Sequence, residues 1–213
     1  MRVKICGNTN LADAQHAADL GAWALGLIFH RPSPRRCALG EAARIAAALR
    51  RQVEVVGVFV NRPLDEVAAR VEQVGLSIVQ LQGDEGPAYC AEVARRTGCR
   101  VMKARQVRSG ADLRALAPFH VDWHLLDAHA PGLRGGTGET FDWGLVAERR
   151  SDVPMVLSGG LTPDNVGEAI ARTSPWAVDV ASGVEASPGR KDPARLEAFF
   201  AAVAEATRAE ALR

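Results

Sequence analysis

The stretch VEVVGVFVNRPLDEVAARVEQVGLSIVQLQGDEGPAYCAEVARRTG, residues 53–98, decides the fold. Its opening, Val53 to Val60, is rich in apolar β-branched residues, the composition of a buried strand. Leu64 to Val74 follows as an amphipathic helix that Gly75 stops. SIVQL is then a second strand, and Ala88 to Thr97 a second helix stopped by Gly98. Strand, helix, strand, helix in such short compass means parallel strands with helices outside.

The same alternation extends in both directions. Before this stretch come RVKIC as a strand, Leu11 to Leu20 as a helix ended by Gly21, ALGLIF as a strand and Glu41 to Arg51 as a helix. After it come CRVMKA, a short weak helix near Ala111 to Ala117, WHLLDA, and a helix from Trp143 to Arg149. VPMVLS, a helix from Pro163 to Arg172 with Thr162 as N-cap, AVDVA and a helix from Pro193 to Arg208 complete the pattern. About eight β-α units favour a single (β/α)8 barrel, an α/β fold, over an open doubly wound sheet. No linker or charge block divides residues 1–213, so one domain is expected.

Composition narrows the function classes. The net charge of +1 offers no bulk attraction to nucleic acid or to a membrane surface. No apolar run reaches the length of a membrane span, and the apolar run at the N-terminus is too short for a signal peptide. Cys6, Cys37, Cys90 and Cys99 lack zinc-binding spacing. A reducing, cytoplasmic setting with free thiols is expected.

In a barrel of this kind the active site lies at the C-terminal ends of the strands. Cys6-Gly7-Asn8 ends the first strand, and HRPSPRR follows the second. Asp127 ends the sixth, Ser158-Gly159-Gly160-Leu161 the seventh, and Ala181-Ser182-Gly183 follows the eighth. Glycine clusters after strands seven and eight suit a phosphate, because backbone N–H groups can approach it closely. Asp127 reads either as a turn cap or as a general acid. Arg35 reads either as a surface residue or as a clamp on a carboxylate, held by the stiff Ser33-Pro34-Arg35 turn. Cys6 alone reads most simply as a packed thiol. The histidines show no spacing for a metal.

Taken together, KICG at Lys4–Gly7, SPR at Ser33–Arg35, GVFVN at Gly57–Asn61 and VQLQGDE at Val79–Glu85 form the first half of an ordered set. LLD at Leu125–Asp127, GGTG at Gly135–Gly138, SGGLTPDNV at Ser158–Val166 and VDVASGVE at Val178–Glu185 form the second. This set resembles the N-(5'-phosphoribosyl)anthranilate isomerase family of tryptophan biosynthesis, from Lys4 to about Asp192. The resemblance implies a barrel enzyme that performs an Amadori rearrangement of a phosphoribosylated arylamine. It implies Cys6 as general base, Asp127 as general acid, Arg35 on the anthranilate carboxylate and Asp179 near the substrate's polar groups. It also implies phosphate contacts from Gly159, Gly160, Ser182 and Gly183, with help from Gly136 in the GGTG loop. The substrate nitrogen serves as the electron sink, so neither a metal nor an organic cofactor is expected. The implied partner is a small phosphoribosyl substrate, with no nucleic acid or membrane, in a monomer or homodimer.

Three positions depart from the family pattern: Gln82 where histidine is usual, Ser158 where alanine is usual and Ala181 where serine is common. Two rival enzymes share the fold. The related isomerase of histidine biosynthesis resembles a two-aspartate enzyme, which Cys6 argues against. An indole-forming synthase would carry an early lysine acid and an extra N-terminal segment. A degenerate barrel that only binds would lack one of the chemical groups, yet all are present.

Overall fold

Strand residues in a parallel sheet covered on both faces alternate between two dry environments, and here both are filled. The computed structural model describes residues 1–127, 143–147 and 149–211. Its strands are β1 (Arg2–Ile5), β2 (Ala24–Ile28), β3 (Glu54–Phe59), β4 (Ile78–Leu81), β5 (Arg100–Gln106), β6 (Trp123–Asp127), β7 (Met155–Ser158) and β8 (Ala177–Val180). They pair in parallel, in chain order, and β8 returns to β1 to close the barrel. The helices are α1 (Leu11–Asp19), α2 (Leu39–Leu49), α3 (Leu64–Val74), α4 (Pro87–Thr97), α5 (Gly110–Arg114), α6 (Trp143–Ala147), α7 (Val166–Thr173) and α8 (Pro193–Ala211). The expected barrel is therefore observed, and the open sheet is not. Among the described residues, no helix is long and apolar enough to cross a membrane.

Outward-facing Ile5, Leu25, Leu27, Val55, Phe59, Val79 and Leu81 pack under the helices. Inward-facing Ala24, Val56, Ile78, Met102, Leu125, Val156 and Ala177 fill the barrel. Trp23, Trp123 and Trp176 close its N-terminal end, with ring centroids 4.8–5.4 Å apart. Aromatic pairs at such spacing contribute about 0.5–1.5 kcal/mol each beyond area burial. The guanidinium of Arg2 lies 4.2 Å from the Trp176 ring centre. With the base sealed by apolar rings, the polar interior positions all lie toward the opposite rim.

Several element ends differ from the sequence reading, each for a local reason. α7 begins at Val166 rather than Pro163, and Thr162 is not its N-cap. Instead, the Asn165 side chain accepts from the Thr162 N–H at 2.8 Å and donates to the Gly160 carbonyl at 3.0 Å. The residues before α7 thus serve the glycine loop after β7. α2 starts earlier, at Leu39, and α8 runs on to Ala211. A strand pair not expected from sequence, β9 (Glu185–Ser187) and β10 (Arg190–Lys191), forms an antiparallel hairpin between β8 and α8.

One buried group on the outer face of β6 sets a pH response. The His124 ring meets the Phe119 carbonyl at 3.1 Å through Nε2 and the Arg149 guanidinium at 3.0 Å through Nδ1. That pattern suits the neutral ring, with Nε2–H donating and Nδ1 accepting. Burial pushes the His124 pKa down to about 4; the Phe119 carbonyl opposes this and Arg149 reinforces it. An unfolded histidine titrates near ~6.5. Between those values the unfolded chain binds a proton that the folded one refuses, so stability falls as pH drops through that window. His124→Gln is expected to flatten the decline of the unfolding midpoint across the window. An unchanged slope in chemical denaturation would remove His124 as its cause.

Candidate active site

Period-two alternation turns Asp127, Ser158, Asp179 and Cys6 toward the barrel interior. Asp127 shares its face with Trp123 and Leu125, and Asp179 with Ala177, all interior residues. Asp127 sits in register with Ser158 across β6 and β7. The Ser158 hydroxyl donates to Asp179 Oδ2 at 2.9 Å. Asp179 Oδ1 accepts from the Lys4 ammonium at 2.7 Å across the β8–β1 seam. Lys4 is fully buried, and Cys6 follows two residues later on the same face. A continuous polar arc therefore spans four neighbouring strands, with Asp127 toward one end and Cys6 at the other.

The thiol of Cys6 is deeply buried. A cysteine acts as a base in its thiolate form, and the surroundings of Cys6 bear on how much of that form is present. Burial pushes the thiol up; Lys4 opposes this, Asp179 adds to it and Lys191 opposes it. Desolvation prevails, so the resting group is a thiol. For Lys4, burial works against the ammonium, but the Asp179 carboxylate outweighs it and holds it above its ordinary range. Lys4 is therefore charged.

Arg35 lies in the loop after β2. Its own N–H donates to the Ser33 hydroxyl at 3.1 Å, and the Arg36 N–H donates to the Ser33 carbonyl at 3.1 Å, which closes the turn around Pro34. Glu185 grips one edge of the guanidinium. Nε donates to Oε1 at 3.0 Å and to Oε2 at 2.9 Å, and Nη2 lies 2.8 Å from Oε2. Such a side-on fork fixes the plane of the guanidinium and leaves Nη1 on the opposite edge. Gly7 has φ +75°, and a Cβ there would stand 2.9 Å from Arg35 Cδ, so the Arg35 stem crosses the spot a side chain would take.

Glu185 itself is held from behind. Lys191 Nζ lies 3.1 Å from Glu185 Oε1 and donates to the Cys6 carbonyl at 2.6 Å and the Ala181 carbonyl at 3.2 Å. The β9–β10 hairpin thus ties Arg35 to the backbone of Cys6. Burial acts to raise the Glu185 pKa, but the hydrogen bond from Arg35 and the charge of Lys191 overcome it, and the carboxylate sits below its usual range.

The loops after β7 and β8 touch. Gly159 and Gly160 have φ of +97° and +63°. Gly183, in the 3-10 turn Ser182–Val184, lies directly against the Leu161 carbonyl, and no Cβ fits there. Gly136 and the rest of the GGTG loop lie outside the described residues. At Gln82, the side-chain carbonyl accepts from Gln80 Nε2 at 2.7 Å, while the buried Gln80 Oε1 has no partner. Among the described residues, no cluster of three or more His, Cys, Asp or Glu side chains is arranged to hold a metal ion.

The structure brings Cys6 and Asp179 together through Lys4, and sets Arg35 beside them through Glu185 and Lys191. The sequence alone assigns no part to Lys4, Glu185 or Lys191. For Lys4 a signal exists: a lysine two residues before Cys6 within a buried strand must share its face. The partners of Glu185 and Lys191 are too distant in sequence to leave a local signal.

Comparison with known proteins agrees with this architecture. The family profile of N-(5'phosphoribosyl)anthranilate (PRA) isomerase matches residues 3–202. A relative from Citrifermentans bemidjiense, named N-(5'-phosphoribosyl)anthranilate isomerase, is 50% identical over 200 residues, covering 94% of this chain and 95% of its own. The crystal structure of phosphoribosyl anthranilate isomerase from Thermotoga maritima superposes with a TM-score of 0.86 at 41% identity, covering 96% of this chain and 99% of its own. A structure of phosphoribosyl anthranilate isomerase in complex with reduced 1-(o-carboxyphenylamino)-1-deoxyribulose 5-phosphate gives 0.83 at 39% identity, with the same coverage. On the profile match, the sequence identity and the shared barrel, the chain belongs to the N-(5'-phosphoribosyl)anthranilate isomerase family.

Proposed function

We infer that this barrel converts N-(5'-phosphoribosyl)anthranilate to 1-(2-carboxyphenylamino)-1-deoxyribulose 5-phosphate, an isomerisation in tryptophan biosynthesis. The observation that carries the mechanism is the interior polar arc running from the Asp127 strand end to Cys6. A reaction that needs an acid and a base on one sugar needs them on one rim.

The substrate starts as a closed ribofuranose ring. Asp127, carrying a proton, gives it to the ring oxygen as the C1–O bond breaks. The lone pair of the arylamine nitrogen forms an iminium at C1, which acidifies the hydrogen on C2. Cys6 removes that proton, the C2–H electrons become the enolamine double bond, and tautomerisation yields the ketose. The buried Cys6 rests as a thiol, so its own proton leaves to solvent before the thiolate takes the C2 proton. The iminium adds positive charge beside it and favours the thiolate at the step that uses it.

Binding follows from the same geometry. Nη1 of Arg35 is assigned to the anthranilate carboxylate, its plane held by Glu185. The backbone N–H groups of Gly159, Gly160, Ser182 and Gly183 are assigned to the phosphate, in the adjoining loops after β7 and β8. Gly136 belongs to the same assignment from the sequence. Asp179 is assigned to the polar groups of the sugar. A cytoplasmic location is part of this reading, supported by four free thiols.

Cys6→Ala and Asp127→Asn are each expected to lower kcat by about 10²–10⁴-fold, the usual weight of a positioned acid or base, with little change in KM. Near-normal kcat in either variant removes that residue from the mechanism. The wild-type kcat/KM against pH is expected to be bell-shaped, and a profile limited by chemistry yet flat would contradict the pair. Arg35→Met is expected to raise KM by roughly tenfold or more, the weight of a lost charge-assisted hydrogen bond, with a smaller effect on kcat. Steady-state assays showing an unchanged KM would place the carboxylate elsewhere.

A further inference from the structure

Lys4 is a fully buried cation at the head of the candidate site, and the mechanism above does not use it. Its ammonium donates to Asp179 Oδ1 at 2.7 Å. Its neighbour on the same face, two residues on, is Cys6. Gly26, on β2, shows how close the two groups lie: a Cβ there would stand 2.7 Å from Cys6 Sγ and 3.2 Å from Lys4 Nζ. Sulfur and ammonium therefore occupy the space that glycine leaves beside them.

A simple structural ion pair would need only Asp179. Yet the geometry gives the carboxylate a second donor, Ser158 on Oδ2, and gives the ammonium a second neighbour, the sulfur across the Gly26 gap. The charged groups facing Cys6 are Lys4 from β1, Asp179 from β8 and Lys191 from β10. Lys191 points at the Cys6 carbonyl and is compensated by Glu185, which also binds Arg35. That leaves Lys4 as the cation whose ammonium shares the Gly26 gap with the sulfur itself.

We propose that Lys4 is a positioning residue of the isomerisation: its ammonium is the standing counter-charge that makes the Cys6 thiolate attainable, and Asp179 sets how much of that charge the sulfur receives. The inference rests on the reading of Cys6 as the base. The thiol proton leaves to solvent, the thiolate takes the C2 hydrogen and becomes the thiol again, and Lys4 keeps its own protons throughout. Ser158 has a part in the balance, since a donor on Oδ2 draws carboxylate charge away from Lys4 and leaves more of the ammonium's field for the sulfur.

The test reads the thiol directly, without the reaction. Thiolate ultraviolet absorbance is followed against pH in the full chain, in Lys4→Met and in Asp179→Asn, each with its Cys6→Ala counterpart subtracted. Lys4→Met is expected to move the Cys6 titration to higher pH, leaving at least about tenfold less thiolate at a given pH below the midpoint. Asp179→Asn is expected to move it the opposite way. In steady-state assays Lys4→Met is expected to lose kcat, with its base limb displaced to higher pH and KM little changed.

An unmoved Cys6 titration in Lys4→Met, or movement in the same direction in both variants, would overturn the proposal. Lys4→Met leaves Asp179 buried without its cation, so it can fail to fold. Asp179→Asn then decides alone, and an unmoved or upward titration overturns the proposal. Failure of the underlying reading looks different: Cys6→Ala would keep a normal kcat, whatever the titrations show.

Discussion

The barrel closes where β8 meets β1, and at that seam a buried lysine faces a buried aspartate. A buried pair of this kind is a poor source of net stability. Removing ions from water costs several kcal/mol each, and an apolar pair of the same volume often serves a fold as well or better. Once in place, however, the pair is hard to lose on one side, since an unpaired buried charge costs about 3–5 kcal/mol. The seam thus commits the interior rim to polarity. Ser158 and Cys6 take their places around that commitment, and Gly26 provides the room.

A second network works by the same logic outside the barrel wall. Arg35 comes from one loop, Glu185 and Lys191 from a hairpin far along the chain, and the Cys6 carbonyl from the residue just after β1. Lys191 is shared between the Glu185 carboxylate and two backbone carbonyls, and Glu185 between Lys191 and Arg35. Such sharing keeps a buried carboxylate ionised and an exposed guanidinium edge oriented with few residues. It also means that the Arg35 guanidinium and the Cys6 backbone are mechanically joined through Glu185 and Lys191.

Much of this is legible in the sequence, for definite physical reasons. The barrel follows from strand and helix periodicity, which is local and repeats along the whole chain. Cys6, Arg35, Asp127 and Asp179 stand out because strand ends in this architecture converge, and because their motifs resemble one family. The start of α7 is misleading because Thr162 before Pro163 looks like a cap, whereas Asn165 instead spends its side chain on Gly160 and Thr162. The charge state of Cys6 is hidden because burial is not a local property of the sequence. Lys4 is easily overlooked because its partner Asp179 lies 175 residues away. The hairpin is silent because its partners, Thr9, Asp13 and the Cys6 carbonyl, all belong to the opposite end of the chain.

That last distance has a consequence for how the molecule is made. β1 emerges first from the ribosome, but one of its two neighbouring strands is β8, and the cation that holds the Cys6 carbonyl stands 185 residues later. Until those segments arrive, β1 has an open edge, and contacts of such long range are slow to form. A growing chain can assemble most of the barrel wall with the cysteine's surroundings still incomplete. The buried lysine beside it has no counter-ion during that interval and must stay hydrated. Assembly of the seam is therefore also the moment at which the interior dries and the site acquires its electrostatic character.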